Sequence, residues 1–380
     1  MVEIRQVAMG GRLDDFLGVV AHIYRDDPNY IRPLDYELRE RLHPRKNPFF
    51  DHGEGTIFCA YRNGWCLGRI TAQIDHEHLA RHRDGAGFFG FLDSVNDEEV
   101  VRALLSRAET WLRARGLATI RGPLSLNVNE ELGCLVEGFE TPPYVMMPHH
   151  RRYQGELIER AGYAKAKDFF AWKYVVGDPN ERVKRAHEAI KAMPEVTARG
   201  VSLKGLQKDV ELFVDVFNDA WGENWGFVPF TPREVRKMAD TFRLLLMPEI
   251  TSIVSIDGEP AAVALAIPNL NELVRDFDGK LFPVGLPKLV WRLKVEGPRS
   301  ARLIFLGIRK KWRNNRKYAG LSAFMYAEMN EGGRKLGIRE GELGWTLEDN
   351  GRVNAGIQLM GAKIYKRYRV YEKKLTDGAS

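Results

Sequence analysis

Between Arg309 and Lys317 the chain carries six basic residues in the run RKKWRNNRK, and no acid. The apolar segment LIFLGI leads into this loop, and Gly320 opens the helical stretch that follows. Cations ahead of a helix N-terminus, whose first N–H groups lack intrahelical partners, suit a pyrophosphate. A solvated basic loop is the alternative reading of the same composition. Other residues could bind a substrate or move a proton. Asn127, Asn129, Glu130 and Glu131 follow a strand-like run and precede Gly133, in a loop at a strand's end where polar groups often line a site. Asn218, Asp219, Trp221, Asn224 and Trp225 crowd a single turn, where two tryptophans either floor an apolar pocket or pin the loop. His52 with Glu54, and the pair His149-His150, offer imidazoles that titrate near neutrality and suit a general base; surface or capping roles are the plainer reading. No HExxH, CxxC or GxSxG arrangement occurs, so metal-dependent and serine-type hydrolysis have no support.

These residues must be placed by a soluble, mixed α/β chain. It has 380 residues, 44% hydrophobic and 28% charged, a soft prior of two domains. Apolar runs such as Arg302 to Ile308 fall far short of the roughly 20 residues of a membrane span. The start, MVEIRQVAMGGRLDDF, lacks the pattern of a secretion signal, and three cysteines fit a reducing cytoplasm rather than a disulfide framework or a structural zinc. No metal is expected. A net charge of +6 hints at a phosphate-bearing partner.

Periodicity predicts strands at 2–7, 56–62, 65–75, 88–92, 118–122 and 164–176, with helices at 97–115 and 153–161. Gly177-Asp178-Pro179 breaks the pattern, and after a helix over 179–192 the order returns. The second set has strands at 196–203, 251–257, 260–267, 300–309, 340–347 and 362–374, with helices at 205–220, 232–246, 321–336 and 352–360. The expected organisation is therefore two copies of one unit, over 1–178 and 179–380. The loop before the first copy's helix, DSVNDEE, is acidic where the second is basic, so phosphate is expected in the second copy only. Tyr365, Tyr368 and Tyr371 recur along the last strand and are expected to share one face. Gly285 to Lys294 places Leu286, Leu289, Val290 and Leu293 on one helical face among Lys288, Arg292 and Lys294. It reads either as a packing helix or as an element resting on an anionic membrane.

Strand, basic loop, helix, strand, short helix and last strand is the order of the GNAT acyltransferase core, and the chain resembles that superfamily. Lys317-Tyr318-Ala319-Gly320-Leu321-Ser322 is similar to its acyl-CoA pyrophosphate motif, with Lys in place of Gln/Arg and Ser in place of the second small residue. Asn350, with Gly361 eleven residues on, matches the family's closing pattern, and Ile357 stands where many members carry a proton-donating tyrosine. The resemblance implies two tandem GNAT-like domains. The second would hold acyl-CoA against Ile308, Arg309, Arg313, Lys317, Ala319, Gly320, Leu321, Ser322 and Asn350, and the first would shape the acceptor site. Asn127, Asn129, Asn218, Trp221, Asn224 and Trp225 would meet the acceptor. Glu348 and His52 are nominated as general base, and Tyr365 and Tyr368 as proton donors.

The wording RDDPNYIRPL, KNPFFDHGEG, GFFGFLDSVND, GPLSLNVNEELGCLVEGF, WGENWGF and WTLEDN is similar to a bacterial tandem-GNAT family that includes the bacterial ceramide synthases. That resemblance implies transfer of a long acyl chain to the amine of a sphingoid base, in the cytoplasm or at the inner membrane surface. Acylation of another amine is the rival enzymatic reading. A nucleic-acid-binding protein using the 309–317 loop and YKRYRVY is the rival from another class, and no nucleic acid is the expectation adopted.

Overall fold

Asn63-Gly64 and Asp257-Gly258 have positive φ at both positions (52° and 81°, 51° and 79°). This is the turn geometry whose twist matches a right-handed hairpin, so each closes a long antiparallel pair. The computed structural model describes residues 1–375, and the chain divides into two units, neither continuous in sequence. One comprises Met1–Phe169, Val274–Pro287 and the chain from Lys366 onward; the other comprises Phe170–Leu273 and Lys288–Tyr365.

In the first unit the elements run β1 (Glu3–Ala8), α1 (Asp14–Ile23), α2 (Asp35–Arg41), β2 (Gly53–Arg62), β3 (Trp65–Asp75), α3 (His76–His82) and β4 (Ala86–Ser94). They continue with α4 (Glu98–Arg113), β5 (Thr119–Gly122), the short strands β6 (Leu124–Ser125), β7 (Glu131–Leu132) and β8 (Cys134–Glu137), α5 (Tyr153–Arg160) and β9 (Ala164–Val175). The sheet order is β1-β2-β3-β4-β5, and Tyr371–Lys374 of the chain's last strand pairs antiparallel with β5. Helix α4 is the crossover between parallel β4 and β5, and its stripe Val100, Leu104, Ala108 and Leu112 is buried in the core. Pairing of β4 with β5 runs only from Ala86↔Thr119 to Phe88↔Arg121, after which β4 goes on to Ser94 alone on that side. Strand β6 crosses there: a Cβ on Gly90 would meet the Leu124 carbonyl oxygen at 2.1 Å.

The second unit repeats the plan. After β9 come α6 (Glu181–Lys191), β10 (Val196–Arg199), α7 (Leu206–Trp221), α8 (Pro232–Phe242), β11 (Thr251–Ile256), β12 (Glu259–Pro268), α9 (Leu270–Val274) and α10 (Gly285–Trp291). Then come β13 (Ser300–Ile308), α11 (Lys310–Arg313), α12 (Leu321–Lys335), β14 (Glu340–Leu343), β15 (Thr346–Leu347) and α13 (Gly351–Leu359), followed by β16 (Lys363–Lys374), which from Lys366 onward belongs to the first unit. The order is β9-β14-β13-β12-β11-β10. Parallel pairing of β13 with β14 stops at Leu303↔Leu343, although β13 continues to Ile308. Opposite, a register shift at Leu265/Ala266 puts one extra β13 residue, Ile304, into the ladder with β12 and bends the strand. Both units therefore contain a parallel pair that opens after three or four residues.

Two expectations are corrected. On a strand of period two, a spacing of three puts Tyr368 on the face opposite Tyr365 and Tyr371. Lys366, Tyr368 and Val370 are accordingly buried, while Tyr365, Arg367 and Arg369 are half-exposed. In the segment 285–294, Leu289 and Leu293 are buried but Leu286 and Val290 are exposed, so its apolar residues split between core and surface.

Candidate functional site

The N-terminus of α4 and that of α12 occupy matching places after the opened strand. At α4, Asp97 caps the helix, its carboxylate accepting from the N–H groups of Glu99 (3.0 Å) and Val100 (3.3 Å). Arg62 neutralises that end, 2.6 Å from Asp97 and 2.7 Å from Glu99. At α12 the cap is Gly320, and no side chain accepts from the first turn. The first end is closed by the chain's own carboxylate; the second carries no side-chain cap.

Tertiary structure brings acids to the basic loop that the local sequence lacks. Arg309 pairs with Asp215 and donates to the Pro260 carbonyl at 2.9 Å; Lys310 pairs with Glu223 at 2.7 Å, Lys311 with Glu259, and Lys317 with Glu195 at 2.5 Å. These pairs lie at the surface, where solvent screens them, so they are weak and can exchange partners. Arg313 donates to the Ala220 carbonyl at 3.1 Å, and Arg316 has no ion-pair partner among the described residues. The loop is a short helix, α11, and a 3-10 turn over Arg316–Tyr318, fixed by the buried Tyr318 against Trp312 (5.3 Å, edge-on) and Glu195 (3.2 Å).

Other expected residues fall into clear classes. The Leu321 side chain is core, so only its backbone is available, and Ser322 lies on the partly exposed first turn. Ala319 is exposed and Ile308 partly so. The Asn350 side chain caps α13, accepting from Val353 N–H at 3.4 Å. Ile357 belongs to the hydrophobic core. Glu348 is half-exposed just after β15. Trp221 donates its indole N–H to the Leu306 carbonyl at 2.7 Å, on the stretch of β13 beyond its pairing with β14. Phe217 stacks on Trp221 (5.3 Å) and meets Phe227, Phe230 and Phe305, so an aromatic cluster flanks the opened strand. Asn224 and Trp225 lie half-buried in the turn beyond. Buried polar atoms of this unit with no hydrogen-bond partner among the described residues include Asn218 Oδ1, Ser252 Oγ, Trp312 Nε1 and Asn354 Oδ1. A buried group left so costs ~1–3 kcal/mol, and Trp312 belongs to the loop before Gly320, which fits a bound ligand with polar edges.

In the first unit, His52 is largely buried with Nδ1 3.1 Å from Asp75, the residue that also caps α3. Asn127 is buried and accepts from the Asn129 N–H at 3.0 Å. Glu130 and Glu131 clasp Arg41, which also donates to the Ser125 carbonyl at 3.2 Å and lies over the Phe91 ring at 5.1 Å. Tyr368 is fully enclosed, out of a substrate's reach. Sequence reasoning missed Arg41, 89 residues from Glu130 with no local signal. It also missed Arg302 and Glu342, a fully buried pair at 3.0 Å near where β13 and β14 part. Arg302 carried a readable signal, a charge inside an apolar strand, whereas Glu342 lies in the short strand Glu-Gly-Glu-Leu and carried none.

A parallel strand pair that opens beside a helix N-terminus, present in each of two units, defines a tandem GNAT-type acyltransferase. The fold is similar to a tandem GNAT protein from the clavulanic acid biosynthesis pathway (TM-score 0.59, 12% identity, covering 100% of both chains). It is also similar to a GCN5-related N-acetyltransferase from Sphaerobacter thermophilus (TM-score 0.56, 14% identity, covering 100% of this chain and 97% of that one). No family model matches the sequence. The bacterial ceramide synthase of Caulobacter vibrioides is 39% identical over 367 residues, 96% of this chain and 95% of that protein. Protein YghO of Escherichia coli is 38% identical over 365 residues, 96% of this chain and 93% of that protein. The chain belongs to the bacterial ceramide synthase family.

Proposed function

We propose that this acyltransferase moves a long acyl chain from acyl-CoA to the primary amine of a sphingoid base, working at the inner surface of the membrane. The uncapped N-terminus of α12 behind a cationic loop, set against the self-capped N-terminus of α4, carries the assignment of acyl-CoA to the second unit. There the N–H groups of Leu321 and Ser322, with Arg313, Arg316 and Lys317, would hold the pyrophosphate. A backbone N–H of β13 beyond Leu303, where β14 no longer pairs, would face the thioester oxygen and stabilise the oxyanion as the amine nitrogen attacks the carbonyl carbon. The C–N bond forms, the C–S bond breaks, and CoA leaves as a thiolate that takes up a proton. Glu348 is the proposed acceptor of the ammonium proton. The ring cluster of Phe217, Trp221, Phe230 and Phe305 supports a long acyl donor, and the first unit is assigned to the acceptor amine.

Free-thiol release tests the reading. Palmitoyl-CoA should be consumed only with sphinganine present, and acetyl-CoA at least about 100-fold more slowly, since each buried methylene contributes ~0.8 kcal/mol. Equal turnover of acetyl-CoA with a small polar amine, and none with sphinganine, overturns the substrate assignment.

A further inference from the structure

Among the described residues, large apolar side chains lie exposed in one unusual concentration. Phe282 (58%), Val284 (71%), Leu286, Val290, Trp291 (58%) and Val295 (60%) fall within fourteen consecutive residues. Exposed single apolar residues are ordinary; six in one short segment are not. The segment is held to the protein from beneath. Leu289 and Leu293 are buried, Arg292 donates to the Leu273 carbonyl at 2.6 Å, and Lys294 donates to the Leu244 carbonyl at 3.3 Å. Tyr36, itself exposed, meets the Phe282 ring edge-on at 5.7 Å. Helix α10 turns Leu286 and Val290 outward one turn apart, a spacing that puts them on one face.

The charge within the segment is predominantly positive, with the exposed acids Asp276 and Asp278 standing just before it. Between 280 and 296 stand Lys280, Lys288, Arg292 and Lys294 against the single acid Glu296, and all three lysines are exposed. Exposed rings and branched aliphatics interleaved with lysines match a lipid–water boundary, where apolar bodies enter the hydrocarbon edge and ammonium groups meet phosphates. A protein partner would need no such cationic surround. No helix among the described residues is long and apolar enough to cross a membrane, so such a contact would lie on the surface of the bilayer.

We propose that residues 280–296 are an interfacial anchor that sets Phe282, Val284, Leu286, Val290, Trp291 and Val295 into the outer edge of an anionic bilayer, with Lys280, Lys288 and Lys294 on its head groups. The anchor gives the enzyme access to membrane-borne amines and acyl chains, and in that respect rests on the substrate reading above. Flotation of the full chain with lipid vesicles tests it. The protein should float with vesicles of mixed phosphatidylglycerol and phosphatidylcholine, less with phosphatidylcholine alone, and less as salt rises. The triple variant Phe282→Ser/Trp291→Ser/Val295→Ser should lose at least about tenfold in partition coefficient with an unchanged melting temperature. Should that variant melt early, Lys280→Glu/Lys294→Glu decides, because it keeps every apolar group and should lose the preference for phosphatidylglycerol. Absence of wild-type flotation, or equal partition of wild type and the deciding variant, overturns the anchor. So does a dimer that the serine variant dissolves while neither protein floats, which assigns the patch to a second copy of the chain. Flotation without acyl transfer from any donor defeats the substrate reading alone; transfer from detergent-dispersed substrates without flotation defeats the anchor alone.

Discussion

His150 is enclosed in the first unit, its Nδ1 accepting the Leu135 N–H at 3.1 Å, so the proton of the neutral ring sits on Nε2. Burial holds the imidazole neutral, with its pKa lowered from 6.5 to about 4. His149 is lowered in the same direction by burial, against the pull of Asp27. The unfolded chain therefore binds protons between pH 6.5 and 4 that the native protein does not, and stability must fall as pH drops through that window. At ~1.36 kcal/mol per pH unit, His150 alone accounts for up to ~3 kcal/mol. His150→Asn, which keeps an acceptor for the Leu135 N–H, should flatten the slope of the urea midpoint against pH; an unchanged slope would place the titration elsewhere. The same pair shows how far residue types carry. Two adjacent histidines suggested a general base, yet the Nδ1 lone pair of His150 is taken by the Leu135 N–H and burial lowers the basicity of its ring.

At the scale of elements, the opening of β13 from β14 is supported by charge as well as by the bulge at Ile304. Arg302 and Glu342, directly opposed across the pair, are buried, and Arg302 also donates to the Gly344 carbonyl at 3.2 Å and lies 4.6 Å over the Trp345 ring. Removing one partner strands the other charge, so Glu342→Gln or Arg302→Met should each cost ~3–5 kcal/mol in denaturant unfolding. A loss below ~1 kcal/mol would mean that water reaches the pair. Gly320 shows a second element-level effect. Its missing Cβ faces α6, where it would meet Ile190 Cγ1 at 3.2 Å and Ala186 O at 3.4 Å. Gly320→Val should therefore lower the melting temperature by pushing α6 from α12, and should weaken acyl-CoA binding through the displaced helix end. Thermal shift with and without palmitoyl-CoA separates the two effects. An unchanged melting temperature of the free protein would show that α6 yields.

At the scale of the whole chain, the final strand closes the first unit. Tyr371–Lys374 pairs with Thr119–Gly122, Tyr368 lies opposite Leu135, Lys366 donates to the Gly138 and Thr141 carbonyls at 2.5 and 2.7 Å, and Tyr371 is in the core of that unit. A chain ending at Tyr365 should consequently lose amide-exchange protection across residues 1–169. A fragment over 1–178 should not fold cooperatively by itself. Retained protection in either would show that the unit's core is sufficient without the strand.

Local chemistry determined much of this protein. Period-two and period-3.6 patterns, with the Gly177-Asp178-Pro179 break, placed most strands and helices within two residues, because these signals act between near neighbours. The tandem order of elements and the contrast between an acidic and a basic loop were legible for the same reason. Only the tertiary structure decided what lies far apart in sequence. It supplied acids to the basic loop from Asp215, Glu223, Glu259 and Glu195, buried Tyr368 and Ile357, split the apolar residues of 285–294 between core and surface, and gave the last strand to the first unit. Burial and ion pairing depend on which distant segments meet, and no spacing along the chain encodes that meeting.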